Sequence, residues 1–389
     1  MIERDLAPRL VAAARSFPAV TLTGPRQSGK STLCRQLFPA HPYVNLETPD
    51  LRRFALEDPR AFLGQFPAGA VLDEIQRAPE LTSYLQPMID AEPVPGRWIL
   101  TGSQHFALLE SVSQSLAGRS AIFHLLPLCW QEVCRFDRPP ATLDGALLHG
   151  GYPRIFDRHL DAAEWLAAYV ATYVERDVRL IANVGDLVAF QRFVGLCAGR
   201  SGQLLNYSSL AADAGLSQPT AKAWLSILEA SFIAFRLPAW SGNLRKRLVK
   251  MPKLHFYDSG LACWLLGIRS PEQLRSHPLR GAIFESWVVA EIAKHRANAG
   301  QHAGMYFYRD RNGVEADLLV ESADGLIVVE AKAGGTVTPD LLSPARRIAD
   351  VLGKRVSGVP RVVYGGESRQ ERSDCLLMPW KAIPPADWC

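Results

Sequence analysis

The chain has 389 residues, 48% hydrophobic and 21% charged, and its 43 Lys and Arg against 39 Asp and Glu leave a formal net charge of +4. This composition excludes a disordered chain, and the near balance of charge leaves any basic or acidic surface to local clustering. Length predicts roughly two to three domains. None of the seven cysteines forms a CxxC pair, so they are expected as free thiols in a reducing compartment. With no apolar signal core at Met1-Ile2-Glu3-Arg4-Asp5 and no apolar run of spanning length, the expectation is a soluble, cytoplasmic protein without a membrane partner.

The first predicted element is a buried strand, Ala19-Val20-Thr21-Leu22-Thr23, short, apolar and β-branched. Gly24-Pro25-Arg26-Gln27-Ser28-Gly29-Lys30-Ser31 follows and fits GxxxxGK[ST], and Thr32-Leu33-Cys34-Arg35-Gln36-Leu37-Phe38 reads as a helix. Strand, glycine-bounded loop and helix N-terminus together aim backbone N–H groups at a polyphosphate. Lys30 is expected to reach the β- and γ-phosphates, and the Ser31 hydroxyl to join the Mg²⁺ shell. The segment therefore predicts a nucleoside triphosphate site.

Ala70-Val71-Leu72-Asp73-Glu74 predicts a second buried strand ending in two acids. Asp73 is expected to hold Mg²⁺ through water, and Glu74 to polarise the water that attacks the γ-phosphate. The second acid separates a self-contained NTPase from a small-molecule kinase. A third strand, Arg97-Trp98-Ile99-Leu100-Thr101, runs into Gly102-Ser103-Gln104, where Ser103 or Gln104 is the candidate for orienting that water. In Leu116-Ala117-Gly118-Arg119, Arg119 reads either as a finger on a neighbouring subunit, which would make a homo-oligomer, or as a surface ion pair. Alternating strands and helices predict a parallel α/β domain over residues 1–128.

The order GPRQSGKS, VLDEIQRAP, WILTGSQ and LAGR resembles the AAA-type ATPases of prokaryotes that carry a conserved C-terminal domain of uncharacterised function. The likeness continues through His149-Gly150-Gly151-Tyr152-Pro153, Tyr173-Val174-Glu175-Arg176-Asp177, Leu205-Asn206-Tyr207-Ser208-Ser209-Leu210-Ala211 and Lys253-Leu254-His255-Phe256-Tyr257-Asp258-Ser259-Gly260-Leu261, and so covers essentially the whole chain. The resemblance implies ATP as the nucleotide and a P-loop sheet with an additional strand. One departure concerns the lid-borne second sensor arginine of ring-forming members, which has no clear counterpart here; Arg154 is a candidate, and a ring assembly is not implied.

Residues 129–200 are helical by periodicity, as in Ala163-Glu164-Trp165-Leu166-Ala167-Ala168-Tyr169-Val170, and are expected to form a connecting layer. Over 201–254 the pattern changes. A short helix, Ser208 to Ala214, a turn at Gly215-Leu216-Ser217 and a second helix from Gln218 to Ala230 describe a helix-turn-helix. Ala221, Trp224, Leu225 and Leu228 form its buried stripe, and Phe232 onward is expected to supply a wing. From Ser231 to Lys253 the chain holds Arg236, Arg245, Lys246, Arg247, Lys250 and Lys253 and no acid, a cluster able to neutralise nucleic-acid phosphates. Duplex or branched DNA is the expected partner, met by backbone or shape recognition.

In residues 255–389, a strand containing Glu315 and Asp317 and a strand ending in Glu330-Ala331-Lys332 predict a hairpin. Strand alternation puts Glu330 and Lys332 on one face. An Asp opposite Glu-x-Lys can hold a divalent metal and set a lysine beside a scissile phosphate. The pattern resembles the PD-(D/E)xK endonuclease superfamily, which implies Asp317 and Glu330 as ligands of Mg²⁺ or Mn²⁺ and Lys332 as the catalytic lysine. Glu285, on a helix expected from Ala282 to His295, matches its extra helical acid, and Glu315 is the rival of Asp317.

The expected fold is thus α/β: an AAA-like P-loop sheet, a helical linker with a winged helix-turn-helix, and a restriction-endonuclease-like C-terminal domain. The expected function is an ATP-hydrolysing DNA-processing enzyme with metal-dependent cleavage as a further activity. The alternative is a nucleotide-switched regulator, binding DNA or protein, with a silent nuclease fold.

Overall fold

The computed structural model describes residues 2–103, 115–178, 186–241, 251–310, 313–383 and 388. They divide into two compact units. The first is Met1–Pro127 with Ala230–Phe232 and Ala297–Gly300; the second is Leu128–Glu229, Ile233–Arg296 and Gln301–Cys389.

The first unit is built on a parallel sheet of five strands in the order β2-β3-β4-β1-β5. These are β1 Ala19–Thr23, β2 Tyr43–Asn45, β3 Ala70–Asp73, β4 Trp98–Gly102 and β5 Ser120–His124. All residues of β1, β3 and β4 are buried, because a parallel sheet is covered on both faces. Alternation along the strands sorts the core into two layers. Ala19, Leu72 and Leu100 pack with Phe62, Leu81 and Leu85 on one face. Val20, Leu22, Val71 and Ile99 pack with Leu10 and Leu33 on the other. Because β4 lies between β3 and β1, the loop after β1, the acids after β3 and Ser103 after β4 all emerge along one sheet edge.

The second unit begins with a helical layer that includes Leu143–His149, Pro153–Asp157, Ala162–Tyr169 and Leu187–Ala198. Its core is aromatic, with Tyr152, Trp165, Tyr169 and Tyr173 in ring contact. Two quoted sequence segments meet there. Asp258 accepts hydrogen bonds from Gly151 N at 2.6 Å and from Leu261 N at 2.8 Å. Gly150 sits at φ +64°, where a Cβ would collide with the Asp258 carboxylate. The Gly-Gly-Tyr and Tyr-Asp-Ser segments are therefore a docking pair within the fold.

Helices Tyr207–Ala214 and Gln218–Ala230 follow, separated by Gly215 in the left-handed region. Ala221, Trp224, Leu225 and Leu228 are buried, and Ser217 accepts from Thr220 N at 3.2 Å to begin the second helix. Strands β6 Gln203–Leu204, β7 Ala234–Leu237 and β8 Lys253–Phe256 form an antiparallel sheet in the order β6-β8-β7.

The C-terminal sheet is mixed and six-stranded, ordered β13-β14-β12-β11-β10-β9. Its strands are β9 Met305–Arg309, β10 Glu315–Ser322, β11 Gly325–Lys332, β12 Arg361–Tyr364, β13 Gln370–Glu371 and β14 Leu376–Pro379. The hairpin β10–β11 pairs Leu318 with Val329, and helix Pro339–Leu352 crosses over so that β12 lies parallel to β11. Helix Arg280–Asn298 precedes this sheet and extends beyond the expected Ala282 to His295 at both ends.

One division drawn from the sequence needs correction. A boundary at 254/255 falls inside β8, and the residues on either side of it belong to one compact unit. The regions on either side are joined by the Lys253 side chain, bound to Glu285 and Glu315, and by Ser286 Oγ, which accepts from Phe256 N at 3.4 Å. Among the described residues, no helix is long and apolar enough to cross a membrane.

Candidate active sites

The phosphate loop turns between β1 and helix Lys30–Leu37. Gly24, at φ +149°, lies so close to the Leu125 carbonyl that a Cβ would collide with it. Gln27 holds φ +64° and Gly29 φ +96°, so the loop makes successive left-handed turns before the helix begins. Pro25 and Ser28 are buried, Arg26 pairs with Glu47 at 3.2 Å, and Gln27 and Thr32 are exposed. Among the described residues, buried Ser28 Oγ has no hydrogen-bond partner, which leaves a polar atom for a ligand in the cradle.

Lys30 Nζ donates to the carbonyls of Gly24 at 2.9 Å and Pro25 at 2.8 Å. Burial pulls this ammonium below the usual lysine range, while Glu74 and Asp73 pull it upward. The loop is pinned from outside by Arg4, which donates to Ser28 O at 2.8 Å and to Leu126 O at 2.9 Å. Sequence reasoning missed Arg4. It lies 24 and 122 residues from its two partners, and no local pattern marks it.

Ser31 Oγ donates to Asp73 Oδ2 at 2.7 Å. Tyr43 donates to the same oxygen, and Thr101 donates to Oδ1, which also accepts from Glu74 N at 3.2 Å. The Tyr43 phenol is pushed up to about 12, by burial first and then by Asp73. Asp73 is 2% exposed, so these donors replace the water it gave up. Adjacent hydroxyl and carboxylate oxygens at Ser31 and Asp73 are a donor set that suits Mg²⁺.

Glu74 adopts φ +57°, ψ +44°, a left-handed conformation costing a non-glycine residue about 1–3 kcal/mol. The kink points its carboxylate at Ser103, whose hydroxyl donates to Oε2 at 3.1 Å. Gln76 donates to the same oxygen and to Ser103 Oγ at 3.3 Å. Gln76 too was invisible in the sequence, since its role depends on the short turn Ile75–Arg77 folding back on Glu74. Gln104, the alternative to Ser103, lies outside the described residues. Arg119 forms a forked pair with Asp90 at 2.5 and 2.9 Å on the surface. That pair holds the Arg119 guanidinium up and the Asp90 carboxyl down. Arg154, the second-sensor candidate, lies in the second unit, on helix Pro153–Asp157.

The second acidic constellation lies within the second unit. Asp317 Oδ2 accepts from Ala331 N at 2.9 Å, which fixes it against β11. Glu330 is buried, Lys332 Nζ lies 3.1 Å from its Oε2, and among the described residues nothing donates to its Oε1. Burial raises the Glu330 carboxyl well above its usual range, and Asp317 adds to the effect. Lys332 is held above its ordinary value: burial opposes this, but Glu330 and Asp317 prevail. Glu285 is pushed up to about 8, by burial first and then by Asp317, with Lys253 opposing.

Lys253 is the unexpected member. Its Nζ lies 2.7 Å from Glu285 Oε1, 2.6 Å from Glu315 Oε1 and 3.8 Å from Asp317 Oδ1, and its side chain is 3% exposed. Burial works to lower this ammonium, but Glu285 and Asp317 outweigh it and hold it above the usual lysine range. The sequence reading placed Lys253 in a phosphate-neutralising basic run. The structure corrects that, because a buried ammonium among three carboxylates is unavailable to an external phosphate. Arg236, from the same run, pairs with Glu229 at 2.7 Å and the Tyr207 hydroxyl at 2.9 Å. Residues 245, 246, 247 and 250 of the run lie outside the described residues. Glu285, Glu315 and Asp317 do converge, but the position that a shared divalent ion would take is filled by Lys253 Nζ. As arranged, the trio of Glu285, Glu315 and Asp317 does not fit a resident metal; Glu330, the expected second ligand beside Asp317, is not part of that trio.

Comparison with known proteins divides the chain into three matched spans. An AAA domain matches residues 16–134. A domain of unknown function (DUF8612) matches 141–272, and another (DUF4143) matches 280–383. Glu285, Asp317, Glu330 and Lys332 fall in the last span, whereas Lys253 comes from the middle one. The uncharacterized proteins Rv2008c of Mycobacterium tuberculosis and Mb2031c of Mycobacterium bovis are each 31% identical over 378 residues, covering 96% of this chain and 82% of theirs. A Walker-type ATPase of Pyrococcus abyssi aligns with TM-score 0.42 at 15% identity, over 68% of this chain and 96% of its own.

Proposed function

The chain belongs to the family of the mycobacterial proteins Rv2008c and Mb2031c, with an AAA domain over residues 16–134, and from that premise we propose that it is an ATP-hydrolysing protein that engages DNA. The observation that carries the hydrolysis part of the reading is the joined set Ser31–Asp73 and Glu74–Ser103 along the edge of one parallel sheet.

In the proposed mechanism, Lys30 leaves the Gly24 and Pro25 carbonyls for the β- and γ-phosphates, exchanging neutral acceptors for charged ones. Loop N–H groups and the N-terminus of helix Lys30–Leu37 take the phosphate oxygens. Ser31 and Asp73 would hold Mg²⁺, which supplies charge neutralisation when bound. Glu74 accepts the proton of the attacking water, and Ser103 and Gln76 hold its carboxylate in line. Arg119 is proposed to act on a second copy of the chain, after release from Asp90.

Two short helices turned at Gly215 and followed by antiparallel β7 and β8 support a winged helix-turn-helix, with Gln218 and Lys222 on the exposed face. The C-terminal order of helix, three strands, helix and strand supports a PD-(D/E)xK-like fold. Lys253 among its acids favours the silent form of that fold, so the proposal contains no cleavage step.

The test is ATP turnover by the purified chain, alone and with linear, forked or four-way DNA. Stimulation by any of these supports the reading, and rates indifferent to all of them count against it. With Mn²⁺ present, wild type, Glu330→Ala and Lys332→Ala should leave labelled DNA equally intact.

A further inference from the structure

We propose that Lys253 is a built-in counter-ion that takes the place of a divalent cation in the C-terminal acidic cluster and keeps metal ions out of it. The geometry is that of a ligand shell closed around an ammonium. Glu285 reaches Nζ from helix Arg280–Asn298, and Glu315 and Asp317 reach it from one face of β10, two residues apart. A metal bound by Glu285 Oε1 and Glu315 Oε1 would need the space between those oxygens, where Nζ already lies 2.7 and 2.6 Å from them. An ion and an ammonium cannot share that space without strong like-charge repulsion.

Lys253 is also poorly placed to step aside. Its side chain is 3% exposed, its Nζ lies 5.7 Å from the centre of the Phe307 ring, and β8 is hydrogen-bonded on both sides by β6 and β7. The rest of the cluster is neutralised in the same manner. Lys332 holds Glu330 at 3.1 Å, and Arg309 lies 3.8 Å from Glu315 Oε2. Four carboxylates thus meet cations belonging to the chain itself. This arrangement also ties the sheet of the two-helix module to the C-terminal sheet, beside the backbone hydrogen bonds of Phe307 with Pro238 and Trp240.

The inference deepens the silent-centre reading and rests on it, and its test reads metal binding rather than cleavage. Mn²⁺ binding to the full chain without nucleotide is followed by the loss of the free-ion electron paramagnetic resonance signal. Wild type and Asp317→Asn should bind the same amount of Mn²⁺. Lys253→Met should gain a Mn²⁺ ion per chain, and the gain should vanish in Lys253→Met/Asp317→Asn and be missing in Lys253→Arg. Loss of bound Mn²⁺ in Asp317→Asn alone would overturn the proposal, because the cluster would already hold an ion. A folded Lys253→Met chain that gains none would also overturn it, while leaving the silent-centre reading intact. Should Lys253→Met not fold, the comparison of Asp317→Asn with wild type decides.

Discussion

Ser103 donates its hydroxyl to Glu74 Oε2 across 3.1 Å, joining the end of β4 to the kinked residue after β3. Glu74 holds a left-handed backbone conformation, and its Oε2 accepts from Gln76 as well. Among the described residues, Ser103→Ala leaves Gln76 as the donor to that oxygen. The expected outcome is a kcat for ATP lowered roughly tenfold with KM nearly unchanged, since the hydroxyl meets the proposed base and not the nucleotide. Steady-state ATPase kinetics check this, and a raised KM at constant kcat would point to a binding role instead.

Thr101→Val removes a donor from the buried Asp73 carboxylate. An ionised acceptor short of a hydrogen bond costs about 1–3 kcal/mol. Chemical denaturation should show that loss, and ATP with Mg²⁺ should protect the variant against unfolding less than it protects wild type.

Arg4→Ala cuts the tie between the N-terminal segment and the carbonyls of Ser28 and Leu126. The phosphate loop then pays an ordering cost on binding. ATP affinity should fall roughly tenfold, equivalent to about 1.4 kcal/mol. A fluorescent ATP analogue measures it, and an unchanged Kd would remove Arg4 from the binding machinery.

His255 sets a pH signature. It is held at about 3 against an ordinary 6.5, by burial first and by the Lys253 ammonium second. Its ring stacks on Phe235, and Nδ1 lies 3.2 Å from Ser286 Oγ. As pH falls from about 6.5 toward 3, the unfolded chain takes up a proton that the folded chain refuses. Stability contributed by the neutral ring is therefore full above that window and lost within it. His255→Phe should flatten the acid side of the thermal stability profile relative to wild type, and parallel profiles would contradict this.

The phosphate loop was legible because its chemistry is contiguous: strand, Gly24 to Ser31 and helix follow one another in the sequence. Asp73 and Glu74 were legible for the same reason, as an apolar strand ending in acids. Arg4, Tyr43, Thr101 and Gln76 were not, because each acts through a contact that exists only after the sheet edge is assembled. Lys253 misled the sequence reading outright. A run of basic residues counts charge, but burial decides which charges face water, and β8 turns this one inward. In the C-terminal region, strand alternation put Asp317 and Glu330 in plausible positions, yet nothing local announced that a lysine some 30 residues before Glu285 would stand between the acids.

That Glu74 is the base for ATP hydrolysis is decided by ATP turnover of wild type and Glu74→Gln, with nucleotide binding measured on the same samples. The expected result is a kcat at least about 100-fold lower in the variant with ATP binding retained. Turnover by Glu74→Gln at the wild-type rate would contradict it.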